Sequence, residues 1–167
     1  MTEGLLSFAV MGGIFSEGVD FLGDLLSGVF IISVGLPQIC FERDIIKNLF
    51  ARNFQIEALK NSQINQSEEI KTHDTVLFTG SDILDLKTEF LKKGFDYAYK
   101  YPGFNRVLQA SGRVIRSETD RGFIMLLDER FSYKEYRSLF PPEWSSPIII
   151  NTAQKGGQVI NNFWNRN

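Results

Sequence analysis

The sequence predicts an α/β protein built on a parallel sheet flanked by helices. Apolar residues make up 43% of the 167-residue chain, and fifteen residues are Phe, enough to pack a core rather than remain unfolded. A chain of this length buries roughly 70% of its unfolded surface. Three short apolar runs, Leu5–Met11, Val29–Val34 and Gly122–Asp128, are continuous rather than alternating. That is the pattern of parallel strands covered on both faces. Helix-spaced segments lie between the second and third runs.

Taken in order, Leu5–Met11 reads as a strand ending at Gly12-Gly13, and Ile14 to Asp24 as a loop broken by Gly18 and Gly23. Val29–Val34 is a second strand, stopped by Gly35 and Pro37. From Phe41 to about Lys60 the apolar positions Ile45, Ile46, Leu49 and Phe50 fall at helical spacing. Asn61 to Thr75 is polar and aperiodic, hence a loop. Ser81 caps a helix running through Ile83, Leu84, Leu86, Phe90 and Leu91 to a stop at Gly94. Phe95, Tyr97, Tyr99 and Tyr101 alternate, which allows an extended segment, and Pro102-Gly103 turns the chain into a helix from Phe104 to Arg116. After the third strand, Ser132 caps a helix over Tyr133–Leu139 that ends at Pro141-Pro142. Ile148–Ile150 is an edge strand, and Ile160, Phe163 and Trp164 form a helix-spaced triple.

Composition narrows the function. Eighteen basic and twenty acidic residues leave a net charge of −2, so the chain is no polycation and any nucleic-acid contact is local. The single cysteine, Cys40, excludes an internal disulfide and any Cys-clustered zinc or iron–sulfur site within the chain; it reads as a small buried hydrophobe. His73, the one histidine, leaves little for a catalytic triad or a His-rich metal site and reads as a surface residue. The apolar start carries Glu3 where a signal peptide has positive charge, and it is too short to span a bilayer. A soluble cytoplasmic protein with no membrane partner is expected.

Two motifs carry chemistry. On a helix, Gln109, Arg113 and Arg116 fall within about 60° of one another. Val107, Leu108, Ser111, Val114 and Ile115 collect opposite them. Guanidinium forks suit phosphate oxygens. The spacing by itself equally fits a solvated helix face. The second motif, Gly12-Gly13-Ile14-Phe15-Ser16-Glu17-Gly18-Val19-Asp20-Phe21, follows the first strand, where open α/β sheets bind ligands. It is neither a Gly-Lys-Ser/Thr phosphate loop nor a dinucleotide G-x-G-x-x-G, and its glycines alone equally fit a plain turn.

Together the elements form an ordered set: G-G-x-F-S-E-G-x-D-F, a strand ending Gly35-Leu36-Pro37, Q-A-S-G-R-V-I-R, and S-E-x-D-R-G before a strand closing on Leu127–Phe131. This set resembles the second motor lobe of XPD/DinG-like superfamily 2 DNA helicases, the bacterial DinG-related group in particular. It covers Leu6–Phe50 and Gly94–Trp144. The resemblance implies a RecA-like, P-loop NTPase-type parallel sheet flanked by helices, forming a partial second lobe over residues 1–144. Residues 51–92 would be an insertion or variable region and 145–167 a tail.

The resemblance also implies roles. ATP would lie between two lobes, the N-terminal one supplying the phosphate loop and the Mg²⁺-binding acidic box. Gln109, Gly112, Arg113 and Arg116 match Q-x-x-G-R-x-x-R, whose arginines reach the γ-phosphate, with Gly112 allowing close backbone approach. An inserted Arg of this kind is worth about 10³–10⁵ in rate. Glu17, Gly18 and Asp20 match S-E-G-x-D, placed near the ribose or the motif arginines. Ser16, a neutral donor, is the contact to single-stranded DNA. An Asp120–Arg121 ion pair would steady the following strand. Tyr97, Tyr99 and Tyr101 are core aromatics or base-stacking platforms, the core reading being preferred.

The chain departs from the family by lacking the phosphate loop, the acidic box and the cysteines of an iron–sulfur cluster, all first-lobe features. The first strand begins so near Met1 that the chain is read as part of a larger protein, whose remainder can carry such a cluster. The expected function is the C-terminal half of an ATP-dependent DNA helicase moving 5′ to 3′ on single-stranded DNA, inactive as an ATPase by itself. The alternative is a stand-alone or degenerate lobe that binds nucleic acid or protein without ATPase activity.

Overall fold

The computed structural model describes residues 4–14, 26–68, 80–115 and 117–165. The elements are β1 (Gly28–Ile32), α1 (Phe41–Glu68), α2 (Gly80–Phe95), a π-helical turn (Asp96–Lys100), α3 (Tyr101–Ser111), β2 (Phe123–Leu127), a 3₁₀ turn (Glu129–Ser132), α4 (Lys134–Arg137), a second 3₁₀ turn (Pro142–Trp144) and α5 (Ala153–Trp164). They divide into two compact units, one of residues 35–105 and one of residues 1–34 and 106–167.

In the second of these units, β1 and β2 pair in parallel, with Gly28 opposite Phe123 and Ile32 opposite Leu127. The predicted parallel pairing is observed. Phe30 and Phe123 meet edge to face at 5.4 Å. Full cover on both faces is not observed: Ile31 is buried, whereas Phe30 and Ile32 on the opposite face are exposed. Two further expected strands are corrected. Gly4–Val10 and Ile148–Ile150 are irregular, and Leu5 and Phe8 are 95% and 87% exposed. Apolar character alone does not make a strand; the backbone needs a ladder partner, and among the described residues the sheet holds only β1 and β2. The predicted C-terminal helix is present as α5, capped by the Thr152 hydroxyl, which accepts from the Lys155 N–H.

In the unit of residues 35–105, α1 and α2 pack against each other, with the π-helical turn packed on α1. α1 runs past Lys60 to Glu68, so the expected loop from Asn61 is helical over residues 61–68, and the rest of it lies outside the described residues. No Gly or Pro interrupts that stretch, and a helix once formed propagates at small cost per residue through Asn, Ser and Gln. α2 begins at Gly80, one residue before the expected cap Ser81. Cys40 is half-buried rather than fully buried. The expected loop from residue 15 and the sole histidine, His73, lie outside the described residues.

Gly94 does not stop α2. A Cβ there would collide with the Lys47 carbonyl of α1 and stand 3.1 Å from the Ala51 Cβ, so the glycine serves close helix approach. The aromatic stretch is likewise helical, not extended. Tyr97 stacks on Phe50 at 4.6 Å and Phe95 on Tyr99 at 5.0 Å; of the three tyrosines expected in the core only Tyr99 is buried, Tyr101 being half-buried and Tyr97 43% exposed. Nor does Pro102 make a turn; it occupies the first turn of α3, where a missing N–H is tolerated. The Tyr101 N–H bonds back five residues to the Asp96 carbonyl. The acceptor that an α-helical N–H at 102 would use, the Ala98 carbonyl, receives Arg43 Nη1 at 2.8 Å instead. Asp96 and Lys100 close the turn with a 2.6 Å ion pair.

Candidate functional site

α3 ends at Ser111, so the single helical face expected over Phe104–Arg116 is corrected. Gly112, a poor helix former, opens a tightened turn. Its N–H reaches the Leu108 carbonyl at 2.9 Å, four residues back. The Arg113 and Val114 N–H groups reach only three residues back, to Ala110 at 3.4 Å and Ser111 at 3.1 Å. The Ser111 hydroxyl donates to the Leu108 carbonyl at 2.8 Å. Val107, Ala110, Ser111 and Val114 are buried and anchor this end; Ile115, expected among them, is 44% exposed.

On that anchored end Gln109 is exposed and Arg113 half-buried. They are neighbours across the helix terminus, Gln109 on the last turn of α3 and Arg113 in the turn after it. At Gly112 a Cβ would stand 3.3 Å from the Leu108 carbonyl and 3.8 Å from the Gln109 carbonyl, with open space otherwise. The backbone flank is therefore accessible from outside. Arg116, Ser16, Glu17, Gly18 and Asp20 lie outside the described residues.

The start of the Gly-rich motif does come to α3. Gly12 has φ +83°, a conformation costly for other residues. A Cβ on it would stand 3.1 Å from Arg106 Nε, one turn before Gln109. Arg106 stands one turn ahead of Gln109 on the same helix, a spacing legible in the sequence. Past the helix end, Asp120 accepts from the Ser117 N–H at 2.9 Å and from its hydroxyl at 2.8 Å. Arg121 donates to the Phe163 carbonyl and lies over the Phe163 and Trp164 rings, at 4.9 and 5.4 Å. The strand is thus steadied from α5.

A second unforeseen cluster lies at the carboxyl ends of the strands. Asp128 caps the 3₁₀ turn by accepting from the Arg130 N–H and grips the Arg130 guanidinium at 2.9 and 2.7 Å. Arg130 Nη2 donates to the Ser33 hydroxyl at 3.2 Å, and Ser33 holds φ +74°. The hydrogen bonds from Arg130 hold the Asp128 carboxyl below its usual range, and the same bonds raise Arg130. Ser132, expected to cap the following helix, donates back to the Glu129 carbonyl, and α4 starts after Tyr133. Among the described residues no cluster of three His, Cys, Asp or Glu could hold a metal ion. No helix there is long and apolar enough to cross a membrane.

A family model described as the helicase C-terminal domain matches residues 1–147. The chain belongs to that family. The helicase C-terminal domain carries the RecA-like fold, of which the parallel β1–β2 pair is part. Among curated proteins the chain is similar to a regulator of telomere elongation helicase 1 homolog of Caenorhabditis elegans, 27% identical over 92% of this chain and 12% of the relative. It is also similar to the ATP-dependent DNA helicase CHL1 of Coccidioides immitis, 28% identical over 97% of this chain and 16% of the relative. A regulator of telomere elongation helicase 1 homolog of rice is 28% identical over 95% and 13%. This helicase C-terminal domain thus spans less than a fifth of the length of those relatives. No solved structure matches it.

Proposed function

We propose that this helicase C-terminal domain is the second motor lobe of a cytoplasmic ATP-dependent DNA helicase that translocates along single-stranded DNA in the 5′ to 3′ direction. The observation that supports it is the match over residues 1–147 to the helicase C-terminal domain, set beside the Gln109–Gly112–Arg113 terminus of α3. That terminus presents an amide, an open backbone and a permanent cation from a buried anchor. Such donors, held before any ligand arrives, suit charge that develops during phosphoryl transfer.

In this reading Gln109 and Arg113, with Arg116, face the γ-phosphate from one side. ATP with Mg²⁺ supplies the phosphoryl group and its leaving charge, held mainly by the N-terminal lobe. Glu17, Gly18 and Asp20 orient the arginines or a ribose hydroxyl, and Ser16 donates to a DNA phosphate. Arg106, packed on Gly12, links the start of that loop to α3.

The test is ATP hydrolysis by the chain alone and by the chain mixed with a first motor lobe of this family, each with single-stranded DNA. The isolated chain should show none. The mixture should turn over, and Arg113→Ala or Arg116→Ala should lower its rate about 10³-fold or more. Turnover by the chain alone, abolished by Arg116→Ala, would overturn the two-lobe reading.

A further inference from the structure

The carboxyl ends of β1 and β2 carry hydrogen-bond donors to which the motor-lobe reading gives no role. Arg130 gives Asp128 one edge of its guanidinium fork, Nε at 2.9 Å and Nη2 at 2.7 Å. Nη2 also donates to the Ser33 hydroxyl at 3.2 Å. Nη1 has no partner among the described residues, and the Arg130 side chain is 35% exposed. The Ser33 oxygen accepts from Arg130, so its own proton points elsewhere, and none of the described residues accepts it.

The backbone sets this hydroxyl apart from ordinary packing. Ser33 holds φ +74°, a region that glycine enters freely and other residues enter under strain. A bend at the strand end would be made more easily by glycine. Serine there keeps a hydroxyl in place against that strain, and strain of this kind gathers at ligand clamps. The bond to Arg130 adds little, being 3.2 Å long and made by a guanidinium that Asp128 already holds.

The charges decide what fits. The Asp128 carboxylate accepts three bonds from Arg130, one of them from its backbone N–H at 2.9 Å, and is thereby occupied. The ion pair is a dipole whose open side, at Nη1, is the positive one. The next carboxylate, Glu129, lies against the Tyr133 hydroxyl. Nη1 and the Ser33 hydroxyl are thus donors without a free acceptor beside them. They suit an oxygen that carries negative charge, and a guanidinium fork suits phosphate in particular. The place agrees, since open parallel sheets bind ligands beyond the carboxyl ends of their strands. We propose, independently of the roles given to Gln109 and Arg113, that Ser33 and Arg130 bind a phosphate oxygen of a nucleic-acid strand or a free nucleotide. Asp128 is the positioning residue that fixes the guanidinium.

The test is an NMR titration of the isotope-labelled full chain with oligothymidylate, with ATP and with inorganic phosphate, against sodium chloride at equal ionic strength. The Ser33 and Arg130 amides should shift saturably with a phosphate ligand and not with chloride. Tighter binding of oligothymidylate marks a strand as the source, tighter binding of ATP a nucleotide, and inorganic phosphate should displace either. Ser33→Gly should weaken binding about tenfold or more. Its melting temperature should fall by no more than a few degrees, because relief of the backbone strain offsets the lost bond. Ser33→Ala, which removes the hydroxyl without adding flexibility, should weaken binding as much. Shifts no larger than those with chloride, or binding that survives both substitutions unchanged, would overturn the proposal.

Discussion

Removing the Arg43 guanidinium should cost stability by an amount that depends on what stands at position 102. Pro102 has no N–H, so the carbonyl four residues earlier loses its α-helical partner. Arg43 Nη1 takes that place on the Ala98 carbonyl at 2.8 Å, and Ala98 is 1% exposed. A hydrogen bond from a charged donor is worth about 1.5–3 kcal/mol. Arg43 is itself only half-buried, which pulls the value toward the lower part of that range. Arg43→Met keeps the aliphatic stem and deletes the donors. It should therefore cost about 2 kcal/mol, or roughly 4–8 °C in Tm for a chain of this size.

Pro102→Ala restores an N–H that can reach the same carbonyl. In that background the Arg43→Met cost should fall by about 1 kcal/mol, a coupling well outside the additivity error of roughly 0.3–0.5 kcal/mol. Urea unfolding followed by far-UV circular dichroism on wild type, both single variants and the double variant closes the cycle. Equal Arg43→Met costs in the two backgrounds would refute the idea that Arg43 replaces the proline's missing donor.

Three other outcomes are expected. Gly94→Ala should destabilise by about 1–3 kcal/mol, because its methyl meets the α1 backbone at Lys47 and the Ala51 Cβ; that exceeds the roughly 1 kcal/mol by which Ala favours helix, and a raised Tm would contradict it. Asp128, held low by Arg130, has a folded pKa below its unfolded value of about 3.9. Its contribution to stability is full above that unfolded value and is lost as pH falls through the lower folded one. Asp128→Asn should therefore flatten the acid limb of a pH-denaturation curve, and an unchanged limb would refute the pairing. Gly112→Ala should change stability by no more than about 0.5 kcal/mol, its Cβ having open space beyond the Leu108 and Gln109 carbonyls, yet it should lower turnover of the two-lobe enzyme. Full activity there would show that the backbone flank does not face the nucleotide.

What could be read in advance was what the chain encodes locally. β1 and β2 are continuous apolar runs closed by Gly35-Leu36-Pro37 and Asp128, and α5 announces itself by its helix-spaced triple. Leu5–Met11 has the same local character but no ladder partner among the described residues, and no local signal distinguishes the two situations. The π-helical turn was illegible for a related reason. Alternating tyrosines look extended, and what makes them helical is the stacking of Tyr97 on Phe50 and Phe54 of α1. The Ser33–Arg130 bond joins residues 97 apart, beyond the reach of any spacing rule.

The early end of α3 changes how the motif works. Had the helix run on to Arg116, the spacing of Gln109 and Arg113 would follow from helical pitch, and a glycine at 112 would be a weakness to be explained. Instead the helix stops where the glycine begins, and three backbone bonds wind the chain into a turn fastened by buried Ser111 and Val114. Glycine at 112 is not required by a positive φ, and a Cβ there would meet only the Leu108 carbonyl closely, at 3.3 Å. On the proposed reading, an approaching nucleotide is what glycine at this position serves. Arg113 then leaves a rigid terminus rather than a helix flank, so its guanidinium is placed by the turn. That turn holds with the chain's own hydrogen bonds, so in the proposed role the cation is in position before a phosphate arrives.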